Sequence, residues 1–156
     1  MKIEVGGLET FVAKIKNWEK DLILKANQEV LQAAMRTVAL AKVRLQPLAS
    51  DDAETAADIA AVRSSINYVH DRNSISSVVF AGNTQKDHFA AYLEFGTGPY
   101  AAKRVKELPF EWEMVASQFY VNGKGTMPAH PYLADAYIQE GNRFVENMKK
   151  LRPRMQ

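Results

Sequence analysis

The stretch LETFVAKIKNWEKDLILKANQEVLQAAMRTVALAKVRL, Leu8 to Leu45, decides the fold. Its apolar positions run Leu8, Phe11, Val12, Ile15, Trp18, Leu22, Ala26, Val30, Ala34, Val38, Ala41 and Leu45, steps of three and four that predict a helix with one apolar stripe. Pro47 ends it. Lys14, Lys16, Lys20, Lys25, Arg36 and Lys42 occupy the other positions and read as a solvated face before a phosphate-facing one. Asn17 can act as an internal cap, so one long helix and two helices with a bend both fit. Either version exceeds what a small core can cover, which marks the segment as a surface for a neighbouring subunit.

On the N-terminal side, Met1 to Val5 alternates like a short edge strand before Gly6-Gly7 breaks the pattern. On the C-terminal side, Leu48 to Glu54 is a polar connection. Asp51 with Glu54 three residues on has the form of a capping box ahead of a short helix or helical turn over Thr55 to Arg63. Ile66, Tyr68 and His70 then alternate with Asn67, Val69 and Asp71. The turn formers Asp71-Arg72-Asn73-Ser74 lead into the β-rich run Ile75 to Ala81, which predicts a β-hairpin closed by Gly82-Asn83-Thr84. The apolar run His88 to Phe95 fits a strand and a short helix equally.

Pro99 to Pro109 reads as a basic, irregular loop, followed by the aromatic residues Phe110, Trp112, Phe119 and Tyr120 and a tight turn at Asn122-Gly123-Lys124-Gly125. Pro131 stands where a first helical residue belongs. Leu133, Ala136, Tyr137, Ile138, Phe144, Val145 and Met148 define a C-terminal helix whose last turn carries Lys149, Lys150 and Arg152. The expected fold is α+β: a long N-terminal helical segment and a C-terminal helix packed on a small, mostly antiparallel sheet, in one domain across residues 1–156.

Composition narrows the function classes. The 156 residues carry 20 Lys and Arg against 18 Asp and Glu, a net charge of +2 that gives no strong field for nucleic acid. With no cysteine, disulfide scaffolds, thiolate metal sites and cysteine nucleophiles are excluded, and a reducing cytoplasm suits the chain. No stretch approaches the roughly 20 apolar residues of a membrane span, and the N-terminus has no signal-peptide pattern.

The three histidines, His70, His88 and His130, lack metal-ligand spacing. A site built in space from His88, Glu94 and His130 is the one route to a metal-dependent hydrolase. Gly123-Lys124-Gly125-Thr126 lacks the glycine spacing of a phosphate loop, and no serine sits in an activating context. No catalytic residue, metal or cofactor is expected.

Two segments stand out: Tyr92-Leu93-Glu94-Phe95-Gly96-Thr97-Gly98 and Pro128-Ala129-His130-Pro131-Tyr132-Leu133. In the first, an aromatic element runs into glycines able to take positive φ, with Glu94 placed to accept backbone N–H bonds from that loop. In the second, two prolines stiffen the chain and launch a helix that delivers Tyr132 and Leu133 into an apolar pocket. Both read as architecture, with Phe95 and Leu133 as core residues whose replacement by Ala costs about 2 to 5 kcal/mol each.

These two segments, in order after Met1-Lys2-Ile3-Glu4-Val5, Gly7-Leu8, a long helix, Arg63-Ser64-Ser65-Ile66 and a hairpin, resemble the gene-product-ten family of lambda-like phages. That family is related to minor tail protein Z. The resemblance spans nearly the whole chain. Its most specific part is Glu94-Phe95-Gly96-Thr97-Gly98 followed at a distance by Pro128-Ala129-His130-Pro131-Tyr132-Leu133. His130 departs from the family, which more often has Arg there, and Tyr132 departs where Phe is more common. The Leu48 to Glu54 connection and the helix after it are also longer than the family's.

The resemblance implies a structural virion protein in the head–tail neck, assembled in the host cytoplasm as a homo-oligomeric ring. Its partners would be connector or head-closure, tail terminator and tail tube proteins. It implies no membrane, and contact with DNA in the lumen limited to backbone electrostatics. A tail terminator or head-closure protein is the neighbouring structural alternative.

Overall fold

The computed structural model describes residues 8–46, 48, 52–82, 87–110, 113–114 and 124–151. The fold is α+β, mostly helical, and among the described residues it has one two-stranded antiparallel sheet. Helix α1 runs unbroken over Leu8–Leu45, 38 residues, so Asn17 does not restart it. At about 1.5 Å per residue it is roughly 57 Å long. Helix α2 is Ala53–Ser65, the hairpin is β1 (Asn67–Asp71) and β2 (Ser76–Phe80), and α3 is Asp87–Phe95. Helices α4 (Pro99–Val105) and α5 (Leu133–Lys150) follow. Among the described residues, no helix is long and apolar enough to cross a membrane.

The cap of α2 is Asp52, one residue on from the expected position: its carboxylate accepts from Thr55 N at 2.8 Å, the Ncap-to-N3 bond that starts a helix. The hairpin register pairs Val69 with Val78 and His70 with Ser77. Tyr68, His70, Ser77 and Val79 face inward at half burial, leaving Val69 and Val78 exposed. Ile75, expected to open the second strand, belongs to the turn, where it takes φ +49°. Asp71 closes that turn by accepting from Asn73 N at 2.8 Å and from the Ser74 hydroxyl.

The segment after Pro99 is not an irregular loop. Pro99 supplies a fixed φ in the first turn, Ala101 and Ala102 favour helix, and Lys103 and Arg104 sit in the last turn where the dipole favours cations, so α4 forms. Helix α5 begins at Leu133 rather than Pro131, because Tyr132 stands at the Ncap position. The edge strand expected over Met1 to Val5, the aromatics Trp112, Phe119 and Tyr120, and Asn122-Gly123 of the expected turn lie outside the described residues.

The main core joins the C-terminal part of α1 (Ala41, Leu45) to α2 (Ile59, Val62), α3 (Ala90, Leu93), Ile66, Tyr132 and Ala136. A second cluster holds Ala91, Phe95, Leu108 and Ala134. The hairpin and α5 both pack on α1, and between them an open apolar groove of about 230 Å³ remains, floored by Val30 and Ala34 and walled by Val79, Tyr137, Gly141 and Phe144. The N-terminal part of α1 leaves this body: residues 14 to 21 are all exposed, Ile15 and Trp18 among them.

Candidate functional site

The two segments singled out in the sequence meet in space. Glu94, on the last turn of α3 and only 3% exposed, aims its carboxylate at the start of α5. Oε2 accepts from Leu133 N at 2.7 Å and from Tyr132 N at 2.9 Å, and Oε1 from Ala134 N at 3.2 Å. A helix N-terminus leaves its first N–H groups without intrahelical partners and carries a partial positive charge. Glu94 therefore fills, from within the chain, the place an anion would take. Its donors come from α5 and not from the adjacent glycine loop, as the sequence had suggested.

Burial pushes the Glu94 carboxyl above the ordinary carboxylate range, opposed by the N–H groups of Leu133, Tyr132 and Ala134 and by the Arg104 charge.

Backbone bonds extend the joint into a clasp. His130 N donates to Leu93 O at 2.7 Å, Thr97 N donates to Met127 O at 2.9 Å, and Met127 N donates to the Thr97 hydroxyl at 2.9 Å. Gly96, at φ +77°, lies so close to the opposing segment that a Cβ there would stand 2.8 Å from Ala129 N and 2.9 Å from Met127 O. Only glycine meets both demands. Gly98, at φ +56°, then turns the chain into α4. Pro128 and Pro131 lie in the irregular run that approaches this loop.

Tyr132 is 2% exposed, and its hydroxyl donates to Ala90 O at 3.2 Å. That bond gives a physical reason for Tyr where Phe would leave a buried carbonyl one partner short. Burial, then the Glu94 charge, push its phenol well above the ordinary tyrosine range. Leu133 is partly buried against the main core and Phe95 is fully buried in the second cluster. Tyr92 is half-buried, its ring stacked with His88 at 6.4 Å between centroids.

Several participants carried no readable sequence signal. Leu93 O, Ala90 O and Met127 bond through their backbones, and Ala129 N crowds Gly96. Arg104, read as part of a loop, pairs with Asp135 and so ties α4 to the first turn of α5. Arg36, read as part of a solvated face, bridges α1 to α5 instead: Nε donates to Glu140 at 2.8 Å and a terminal nitrogen to Glu29 at 2.7 Å. Asn147 adds a bond to Glu29 at 2.9 Å. Lys14, Lys16, Lys20 and Lys25 are exposed.

Chemically the clasp holds rather than transforms. Both Glu94 oxygens are committed to backbone donors, so the carboxylate is badly placed as a base or metal ligand. Among the described residues, no three His, Asp or Glu side chains gather as a metal site, and His88, Glu94 and His130 do not form one. Compared with known protein families, curated proteins and solved structures, the chain matches none.

Proposed function

We propose that this chain is a structural virion protein of a tailed phage, a member of the gene-product-ten, minor tail protein Z-like family, that forms part of the ring joining the DNA-filled head to the tail. Sequence supports the reading through the Glu94–Gly98 and Pro128–Leu133 segments and their spacing within a long-helix, hairpin, short-helix order. The observation that carries it is the reach of α1: a rigid helix leaves the core and holds Ile15 and Trp18 in solvent, as a subunit built to be completed by neighbours does.

The clasp fits the same role. A ring subunit transmits load between head and tail, and fixing α5 to α3 by a buried carboxylate and backbone bonds, and to α4 by the Arg104–Asp135 pair, makes a stiff body of those parts. Repeated head-to-tail contact between unlike surfaces closes into a ring when the rotation allows.

Electron microscopy of particles made when this gene is disrupted in the genome that carries it tests the proposal. Filled heads and finished tails that fail to join are the expected result. Intact, infectious particles overturn it.

A further inference from the structure

The hairpin register sets His70 opposite Ser77, and the ring Nδ1 stands 2.8 Å from the Ser77 hydroxyl oxygen. Both residues are half-buried on the inward face of the hairpin. No local sequence context marks the pair, because only strand pairing brings the two side chains together. The other described serines bond differently. Ser64 and Ser65 donate back to the carbonyls of Ala61 and Val62 within α2, while Ser74 bonds Asp71 and Ser76 in the hairpin turn. Among the described serines, Ser77 is the one whose hydroxyl meets a nitrogen base.

A cross-strand hydrogen bond by itself is architecture, and two further observations set this one apart. Ser77 lines the open groove between β2 and α5, about 230 Å³, beside Val30, Val79 and Phe144, which offers a short hydrocarbon chain a seat next to the hydroxyl. His70 lines a second cleft, about 330 Å³, between β1 and α1, with Leu24, Asn27, Gln28, Leu31 and Arg72. There Asn27 Nδ2 donates to Arg72 O at 3.1 Å, while Asn27 Oδ1 is buried and has no hydrogen-bond partner. An imidazole that takes up a proton becomes a cation with a donor on each nitrogen, and an open acceptor in the cleft it lines is what such a ring needs.

We infer that Ser77 is an acylatable nucleophile with His70 as its general base and Asn27 as the residue that positions the charged ring, and that its substrates are small apolar carboxylic esters. The inference stands independently of the virion reading. A nucleophile and a base within hydrogen-bond reach, with the base held by a third group, is the arrangement that activates a weak hydroxyl.

With the ring proton on Nε2, the Ser77 hydroxyl donates to Nδ1. Oγ forms a bond to the ester carbonyl carbon as the hydroxyl proton passes to Nδ1. Collapse of the tetrahedral adduct breaks the bond to the leaving alkoxide, which takes that proton from Nδ1 and departs as the alcohol. The acyl group stays on Ser77, and nothing is oxidised or reduced. Water attacking by the same route releases the carboxylic acid and restores the hydroxyl. The charged groups flanking the ring are Asp71, engaged by Asn73 N and Ser74, and Arg72, while α1 presents uncharged residues to the cleft. On the Ser77 side, α5 presents Glu140, which is held by Arg36.

The probe is p-nitrophenyl butyrate, a short apolar acyl group on a chromogenic leaving group. Full-length protein is incubated with it and read by intact mass and peptide mapping, adducts on exposed lysines being counted apart. One butyryl group on Ser77 is expected. Ser77→Ala should lose that adduct and keep those on lysines. His70→Gln should slow acylation of Ser77 at least about a hundredfold, the contribution of a positioned general base. In the unsubstituted chain the rate on Ser77 should fall in acid, as His70 takes a proton and can no longer accept one. Asn27→Ala should move that pH profile to lower pH, because the imidazolium loses its acceptor.

Adducts confined to lysines overturn the inference. So does a Ser77 adduct that forms equally fast in His70→Gln, with each variant checked for unchanged circular dichroism and melting. The pH profile of the unsubstituted chain needs no variant to fold, and a rate on Ser77 that is flat from acid to neutral pH overturns the inference as well. An unmoved profile in Asn27→Ala overturns the role given to Asn27.

Discussion

Removing the Glu94 carboxylate is the most searching perturbation of the clasp. In Glu94→Gln the amide oxygen can take the place of Oε2 and keep the Tyr132 and Leu133 N–H groups, but the amide nitrogen then faces Ala134 N, a donor against a donor. One buried N–H left unsatisfied costs about 1 to 3 kcal/mol, and losing a charge at a helix N-terminus about 0.3 to 1 kcal/mol. Relief of the cost of burying that charge offsets part of this, since burial already pushes the carboxyl upward. The expected loss is about 2 kcal/mol. Glu94→Ala removes every acceptor and leaves a void where Glu94 was 3% exposed, for a loss of about 4 kcal/mol. For a chain of this size that is a fall of roughly 8 to 16 °C in melting temperature. Urea unfolding at pH 7, followed by far-ultraviolet circular dichroism, should show shifted midpoints at an unchanged m-value. If Glu94→Ala costs under about 1 kcal/mol, the α5 N–H groups are finding water, and Glu94 is an ordinary surface cap instead of a buried latch.

Gly96→Ala should cost at least about 2 kcal/mol, since both its positive φ and its 2.8 Å approach to Ala129 N reject a Cβ; a melting curve within one degree of the parent protein's would contradict that geometry. Phe95→Ala and Leu133→Ala part company: fully buried Phe95 should lose about 3 to 5 kcal/mol and partly buried Leu133 about 2, with equal losses counting against the two-cluster core. Glu29 gives a pH signature. Burial raises its carboxyl, but hydrogen bonds from Asn147 and Arg36 and the charges of Arg36 and Arg143 outweigh that and hold it below the ordinary range. A depressed folded-state value means stability that is present above the unfolded pKa, near 4.5, and lost as pH falls through the folded one. Glu29→Gln should therefore be less stable than the parent by roughly 1 kcal/mol at pH 7, with the gap closing in acid; a gap independent of pH refutes the ion-pair assignment.

How far the clasp could be read in the sequence depended on which part of each residue does the work. Glycines at Gly96 and Gly98 and prolines at Pro128 and Pro131 restrict the backbone directly, so they announce a special geometry wherever they occur. A carboxylate between aromatic residues likewise suggests an acceptor, and Glu94 is one. The identity of its donors could not be read, because backbone N–H groups are the same at every residue and only the chain path decides which ones arrive. Local rules favoured the nearby glycine loop; the fold delivers α5, with Tyr132 N separated from Glu94 by 38 positions. Helix α4 was hidden for a related reason. Its seven residues are too few for periodicity to register, and its basic side chains suggest solvent until Asp135 is seen beside Arg104.

The long helix shows a different limit, one of geometry. Counting steps of three and four detects a helix, because both steps return near the same face, but the remainders accumulate in opposite senses. A run dominated by steps of four, such as Trp18, Leu22, Ala26, Val30, Ala34 and Val38, turns by about 200° over its length. A bundle seam avoids this drift by alternating threes and fours and supercoiling. Helix α1 is instead buried from Ala34 onward on one side and left with Trp18 on the other, so a single pattern in sequence becomes two surfaces in space. The C-terminal surface is consumed by α2, α5 and the hairpin. For the N-terminal surface, exposure of the Trp18 indole and the Ile15 side chain opposes solubility unless something covers them. That tension, more than any motif, is what motivates the proposal of an assembling subunit.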